Sequence, residues 1–96
     1  MRNKRSYPVE IFMNGRWFFE VVIDNHYEEK HPDITDQVIL KLVQKLHGSE
    51  VPIDDVKSGW YYYALDQIKY KDKFYRLVWC VQEDRYFIGI VNCFRR

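Results

Sequence analysis

The sequence PVEIFMNGRWFFEVVI, residues 8–23, carries the clearest structural signal in the chain. Asn14 and Gly15 at its centre can both adopt positive φ, as the type I′ turn of a two-residue hairpin loop requires. Val, Ile, Phe and Trp, which favour β-strands, flank this pair on both sides. The pattern therefore predicts a β-hairpin with strands at about 8–13 and 16–23.

The segment after the hairpin predicts an amphipathic helix over about residues 33–47. Pro32 disfavours helical conformation just before it, and Asp33 can cap its first turn. Apolar residues then recur at spacings of three and four, and Gly48 supplies a stop. The apolar stripe consists of Ile34, Val38, Ile39, Leu42, Val43 and Leu46.

The last third of the chain predicts a three-stranded meander at about 60–69, 73–82 and 85–94, because polar turns interrupt runs of aromatic and β-branched residues. Residues 49–59 contain Pro52 and Gly59 and are predicted to form a loop. The order is then ββαβββ. The sequence thus predicts one α+β domain over its 96 residues, with a single antiparallel sheet and one helix packed on one face.

Alternation along the last hairpin, with a two-residue turn, separates a core face from a mixed face. The core face consists of Leu77, Trp79, Val81, Tyr86, Ile88 and Ile90. On the mixed face Cys80 would lie opposite Phe87, and Cys93 opposite Phe74, too far apart for a disulfide. Unpaired cysteines favour a reducing compartment, so a cytoplasmic location is expected.

The charge balance does not predict a generic nucleic-acid binder. The chain has 15 basic and 14 acidic residues, a formal net charge of +1. Basic residues are nevertheless concentrated at 69–76 and 95–96, whereas acidic residues lie mostly between 20 and 55, which allows a basic edge on a near-neutral protein. No 18-residue apolar stretch and no secretory signal are present, so no membrane association is expected.

The run His26-Tyr27-Glu28-Glu29-Lys30-His31 lies between the hairpin and the helix. Two histidines five residues apart do not share a helical face, and neither cysteine has a second ligand at metal-binding spacing. Neither a metal site nor a cofactor is therefore expected. The simplest interpretation is a solvated helix entry, whose glutamates complement the helix dipole.

The same run also suits metal-independent RNA cleavage. That reaction needs a base for the 2′-hydroxyl proton, an acid for the leaving oxygen and fixed positive charge for the phosphorane. His26 or His31 can fill either proton role, and arginine is the preferred bidentate phosphate ligand. Arg76, inside a strand, has two readings: it is a phosphate ligand, or it is a structural partner of Asp66 on the neighbouring strand.

Two motifs resemble the RelE-like toxin nucleases of the barnase–EndoU–colicin–RelE group, and their layout is similar to BrnT-like members. The first is H-x3-[RK] before a helix of the I-[ST]-x-x-x-[IV] kind, here His26, Lys30 and 34–38. The second is the closing strand pair KYKDKFYRLVWCVQEDRYFIGIVNCFRR, which ends on [TN]-x-[FY]-R at 92–95. The resemblance covers about residues 20–96.

This resemblance implies a metal-independent ribonuclease, acting on free or ribosome-bound RNA and neutralised by a protein antitoxin. The expected catalytic residues are His26, Arg76 and His31, and the expected RNA-phosphate ligands are Lys30, Arg95, Arg96 and Asn92. The alternative is a non-enzymatic protein-binding module, for example a phage or mobile-element inhibitor. Such a module would use an aromatic sheet face or a free edge strand.

Overall fold

The computed structural model describes residues 4–24 and 34–96, which form a six-stranded mixed sheet with one helix on one face. The strands are β1 (Lys4–Met13), β2 (Arg16–Asp24), β3 (Asp55–Lys57), β4 (Trp60–Tyr70), β5 (Lys73–Gln82) and β6 (Phe87–Arg95), and the helix is α1 (Asp36–Gln44). Their order across the sheet is β1-β2-β6-β5-β4-β3. The predicted α+β class, with one sheet and one helix in these residues, is confirmed.

The predicted antiparallel sheet in ββαβββ order is wrong in two respects. β2 and β6 run parallel, with Glu20 beside Phe87 and Val22 beside Gly89. A further strand, β3, lies in the predicted loop and pairs with β4, so the described order is ββαββββ. Turn residues predict which consecutive strands form hairpins, but they carry no information on how the first hairpin joins the meander.

The N-terminal hairpin is confirmed, and its strands are longer than predicted. Asn14 and Gly15 have φ of 53° and 75°, as the type I′ turn requires. β1 is an edge strand, and its Pro8 pairs with Glu20 just before a register irregularity that ends at Ile11. Proline has no backbone N–H, so edge strands are where a sheet tolerates it.

Helix α1 is shorter than the predicted 33–47. Thr35 is its N-cap, and the Thr35 side chain accepts a hydrogen bond from the Val38 N–H at 3.2 Å. The predicted cap Asp33 lies outside the described residues. The helix ends at Gln44, and residues 45–48 form turns in which the Leu46 N–H bonds the carbonyl three residues earlier. Gly48 has φ of 81°, so it does occupy the left-handed conformation that ends such a segment.

The core lies between α1 and one face of the sheet. Leu77, Trp79, Val81 and Ile88 are buried there, as alternation predicted. The other core residues come from the hairpin, from the helix and the residues that flank it, from the segment before β3, and from β4, β5 and β6; the largest fully buried ones are Phe18, Met13, Ile23, Ile34, Ile39, Leu42 and Leu46. Burying each large aliphatic side chain contributes about 1.5–3 kcal/mol before entropy is counted. In the described residues, no helix is long and apolar enough to cross a membrane.

The predicted register of the last hairpin is wrong, although its conclusion about the cysteines holds. Cys80 lies opposite Gly89 and not Phe87, and Cys93 opposite Leu77 and not Phe74. The cause is a longer turn at 83–86 and a register irregularity midway along the hairpin, which moves Cys93 onto the core face. Cys80 and Cys93 do not form a disulfide with each other.

Tyr86 was predicted on the core face, and this is also wrong. Its side chain is 66% exposed, because it belongs to the longer turn and precedes the first residue of β6. Arg16 holds this turn against β2, since its Nη2 donates to the carbonyl oxygens of Gln82 at 2.9 Å and Arg85 at 2.5 Å. The turn thus bonds to the hairpin while Tyr86 points outward.

A polar contact joins the start of α1 to the edge strand β1. Arg5 donates from Nε and Nη2 to the two carboxylate oxygens of Asp36, at 2.5 and 2.8 Å. The Tyr7 hydroxyl donates to the same carboxylate at 2.5 Å. This hydrogen bond, together with partial burial, raises the pKa of Tyr7 above its ordinary value. The contact fixes one end of the helix over the sheet.

We expect Asp36→Asn to lower the free energy of unfolding by about 1–3 kcal/mol, because it removes the charged acceptor of the Arg5 guanidinium and the Tyr7 hydroxyl. Urea denaturation at neutral pH measures this loss. Gln37→Asn, on the exposed side of the same helical turn, is the matched control and should change stability by less than about 0.5 kcal/mol. Equal stabilities for both variants would show that the contact does not hold the helix.

Candidate functional site

The parallel pairing of β2 with β6 determines which residues share one end of the sheet. β2 runs toward the end of the sheet at which β6 ends and β5 begins. We call this end the basic end; its basic residues are Lys69, Lys71, Lys73, Arg76, Arg95 and Arg96. The predicted site residues His26, Lys30 and His31 fall in 25–33, outside the described residues.

On the outer face of the sheet, away from α1, the basic end contains a carboxylate with two arginines. Arg96 binds Asp66 through two hydrogen bonds, at 2.9 and 3.0 Å. Arg76 approaches the same carboxylate at 4.0 Å and is about one third exposed. The predicted Arg76–Asp66 contact is therefore present. Two guanidinium groups share one carboxylate, so the cluster keeps an excess positive charge.

The pKa of Asp66 follows from this cluster. Desolvation raises it, but the hydrogen bonds from Arg96 and from the Gln67 N–H, and the charges of Arg96 and Arg76, outweigh desolvation. The net result is a pKa below the usual range of an aspartate. The carboxylate therefore stays ionised at neutral pH and keeps both arginines near it.

Asn92 and Arg95, the other predicted phosphate ligands, lie on different faces. Asn92 pairs with Val78 and Arg76 with Phe94, so Asn92 is the diagonal neighbour of Arg76 at roughly 7–8 Å. Its side-chain oxygen accepts from the Cys93 N–H at 2.9 Å, which leaves its amide free to donate. Arg95 pairs with Tyr75, a core-facing residue, and so does not share a face with Arg76.

A shallow groove of about 500 Å³ crosses the outer face away from this cluster, near the start of β4 and β6. Its floor includes Cys80 and Gly89, and its rim includes Trp60 and Phe87, whose rings meet edge to face with centroids 5.9 Å apart. A Cβ at Gly89 would lie 3.3 Å from the Cys80 sulfur, so the glycine keeps the floor low. Burial raises the pKa of the Cys80 thiol, which makes it a poor nucleophile.

A second surface, which we call the aromatic strip, consists of Phe12, Trp17, Phe19 and Tyr86. Successive rings lie 5.3, 6.3 and 6.1 Å apart between centroids, and their side chains are 37% to 66% exposed. A contiguous exposed aromatic surface of this kind marks an interaction site more often than scattered apolar residues do. The run Trp17-Phe18-Phe19 could have predicted it, because alternation cannot bury all three rings.

His47 supports the aromatic strip from the end of the helix. Its Nδ1 accepts a hydrogen bond from the Phe12 N–H at 3.0 Å, and its ring lies 5.9 Å from that of Trp17. A nitrogen that accepts carries no proton, so this contact requires the tautomer protonated at Nε2. His47 thus has a structural role here and lies at the opposite end of the sheet from Arg76.

Comparison with protein-family models, with curated proteins and with solved structures finds no match. The resemblance to RelE-like nucleases therefore rests on the quoted residues alone. Within residues 4–24 and 34–96, no three His, Cys, Asp or Glu side chains are grouped to hold a metal ion.

We expect the stability contribution of Asp66 to depend on pH. Because its folded pKa is lowered, the contribution is complete above the unfolded value of about 4 and is lost as pH falls through the folded value. Asp66→Asn should therefore destabilise the chain at pH near 7, and the difference from wild type should shrink at pH below about 3. Chemical denaturation across this range measures it.

Asp54→Asn is the control for this pH series. Asp54 is exposed, and only its backbone N–H forms a hydrogen bond in the described residues. Because its side chain forms no ion pair in the described residues, its substitution should have a small effect at neutral pH. A difference between wild type and Asp66→Asn that persists unchanged at the lowest pH would contradict the assigned ion pair.

Proposed function

We propose that this chain is a RelE-like toxin ribonuclease that cleaves RNA without a metal ion, on the outer face of the basic end. One observation carries the proposal: parallel pairing makes β2, which continues in sequence into the segment with His26 and His31, run toward the end of the sheet that holds Arg76. An antiparallel join would have made β2 run toward the opposite end. Cys80 and Cys93 do not pair with each other, which favours a cytoplasmic location.

The chemistry is an internal transesterification. One histidine acts as the base and takes the proton of the 2′-hydroxyl, whose oxygen attacks phosphorus. The other acts as the acid and protonates the 5′-oxygen as its bond to phosphorus breaks. His26 and His31 are the proposed base and acid. Arg76, with Lys30, stabilises the charge of the phosphorane, and the Asn92 amide donates to a phosphate oxygen. The product carries a 2′,3′-cyclic phosphate.

The Asp66 cluster is what makes Arg76 suitable for this role. A guanidinium on a half-buried aromatic sheet needs a partner, and the 4.0 Å contact positions Arg76 without saturating it. Arg96 takes the two direct hydrogen bonds of the carboxylate instead. Arg76 therefore keeps N–H donors for a phosphate. Arg95 would contact the RNA backbone from the edge of the same end.

We expect His26→Ala to lower cleavage by about 10²–10⁴-fold, and Arg76→Ala by about 10²–10³-fold. The assay follows cleavage of labelled RNA, free and on ribosomes, in the presence of a chelator. Growth after induced expression, at matched protein abundance, provides the cellular readout. Arg85→Ala, an exposed arginine at the other end of the sheet, is the control and should keep full activity.

Absence of cleavage by folded wild-type protein, on free RNA and on ribosomes, would overturn the proposal. Equal loss of activity in Arg76→Ala and Arg85→Ala would also contradict it, because that result would indicate general charge attraction. Circular dichroism of each variant checks that loss of activity is not loss of fold.

A second candidate function is protein binding through the aromatic strip. The specific observation is a row of four exposed rings in which each ring contacts the next. Tyr and Trp dominate the energetics of protein interfaces, because they bury a large area at low entropic cost. This surface suits an antitoxin, and it equally suits the target of a non-enzymatic inhibitor module.

We expect Trp17→Ser to weaken binding of such a partner by about 2 kcal/mol, roughly 30-fold, without loss of stability. The partner is recovered with tagged wild-type chain from the source cells, and its affinity is then measured with purified proteins. Phe74→Ser, at an exposed ring outside the strip, is the control. Equal affinities of Trp17→Ser and wild type would exclude the strip as the interface.

A further inference from the structure

A second groove, on the helix side of the basic end, contains three lysines from two distant parts of the chain. It has a volume of about 390 Å³ and lies between α1 and the β4–β5 turn. We call it the lysine groove; its lining consists of Gln37, Val38, Lys41, Tyr70, Lys71, Lys73 and Tyr75. No carboxylate is among these lining residues.

The three ammonium groups have no counter-charge within residues 4–24 and 34–96. In the described residues none of Lys41, Lys71 and Lys73 forms an ion pair, and all three are exposed. Lys71 lies over the Tyr70 ring, with Nζ 5.5 Å from its centroid. Asp72, at the tip of the turn, does not line the groove. Like charges that converge without a carboxylate repel one another until an anion enters.

Tyr75 supplies an independent indication of a ligand. The residue is only 6% exposed, yet its hydroxyl has no hydrogen-bond partner in the described part of the chain. Among the described residues, Trp79 Nε1 is the side-chain polar atom that is both fully enclosed and without a hydrogen-bond partner. The Tyr75 hydroxyl also lacks a partner but is not in this class, so it is not fully enclosed in the core. Because the residue lines the groove, its hydroxyl is available to a ligand in the groove.

The turn between β4 and β5 fixes two of the lysines in place. Lys71 and Asp72 have φ of 50° and 65°, the conformation of a tight two-residue hairpin turn. Lys73 follows directly and pairs with Tyr70, and Lys41 faces both from the helix. The backbone positions of the three lysines are therefore set by a tight turn and a helix, so binding of a ligand needs to order only their side chains.

We propose that the lysine groove binds phosphate groups, either of a free nucleotide-sized ligand or of an RNA strand. Three lysines provide the charge that a polyanion needs, and the Tyr75 hydroxyl and Gln37 amide provide directional donors. A volume of about 390 Å³ matches small-molecule sites and exceeds what a lone carboxylate needs. The inference goes beyond the proposed nuclease and does not require cleavage.

The test is an amide chemical-shift titration of the full chain with pyrophosphate, with a mononucleotide and with a short 2′-O-methyl RNA that cannot be cleaved. We expect saturable shifts at 37–41 and 70–75. Lys41→Ala combined with Lys73→Ala should weaken binding by about tenfold or more. Lys45→Ala combined with Lys69→Ala removes the same charge, from the residue that follows the same helix and from the same hairpin, and should change binding by less than about twofold.

The three probes distinguish a free phosphate ligand from an RNA strand. Comparable affinities for pyrophosphate and the oligonucleotide support a free phosphate ligand, whereas binding of the oligonucleotide alone, lost in the groove variant, supports a strand. Absence of saturable shifts with all three probes, or equal weakening in both double variants, would overturn the proposal. RNA cleavage by the groove variant is scored separately, because Arg76 lies on the other face. Failure of one proposal therefore leaves the other intact.

Discussion

The parallel pairing of β2 with β6 is the interaction on which the rest of the structure depends. It joins an N-terminal hairpin to a C-terminal meander. Without this pairing the hairpin would be an isolated two-stranded unit, which is marginally stable at best in water. Val21 and Ile88, neighbours across this join, are both fully inaccessible to solvent. The bond from the Phe19 N–H to the Tyr86 carbonyl extends the join beyond the paired residues.

Local signals predicted the elements, and non-local packing determined their arrangement. The Asn14-Gly15 turn, the apolar stripe of α1 and the polar breaks of the meander are all properties of a few consecutive residues, and all were found. The partner of β2 could not be predicted in this way, because nothing near Val21 specifies a strand almost seventy positions later. The register error at Cys93 has the same origin, since an irregularity within β6 leaves no clear trace in the sequence.

In the candidate sites too, local sequence signals predicted single residues, and non-local packing determined which residues come together. Arg76 and its partner Asp66 were predictable, since a charge among aromatic strand residues needs a counter-charge nearby. The separation of Arg95 from Arg76 also follows from strand alternation once the register is known. The lysine groove was not predictable, because Lys41 and Lys73 come together only after the helix packs beside the β4–β5 turn.

The two borders of the sheet affect how the chain behaves at high concentration. On one side Pro8 and the irregularity before Ile11 interrupt the row of backbone donors of β1. That strand is therefore a poor template for a strand from a second molecule. On the other side β3 pairs only with Trp60, Tyr61 and Tyr62, so the rest of β4 has no partner strand on that side among the described residues. Unwanted association of two molecules is therefore expected to begin along β4 or at the exposed rings of Trp17 and Phe19.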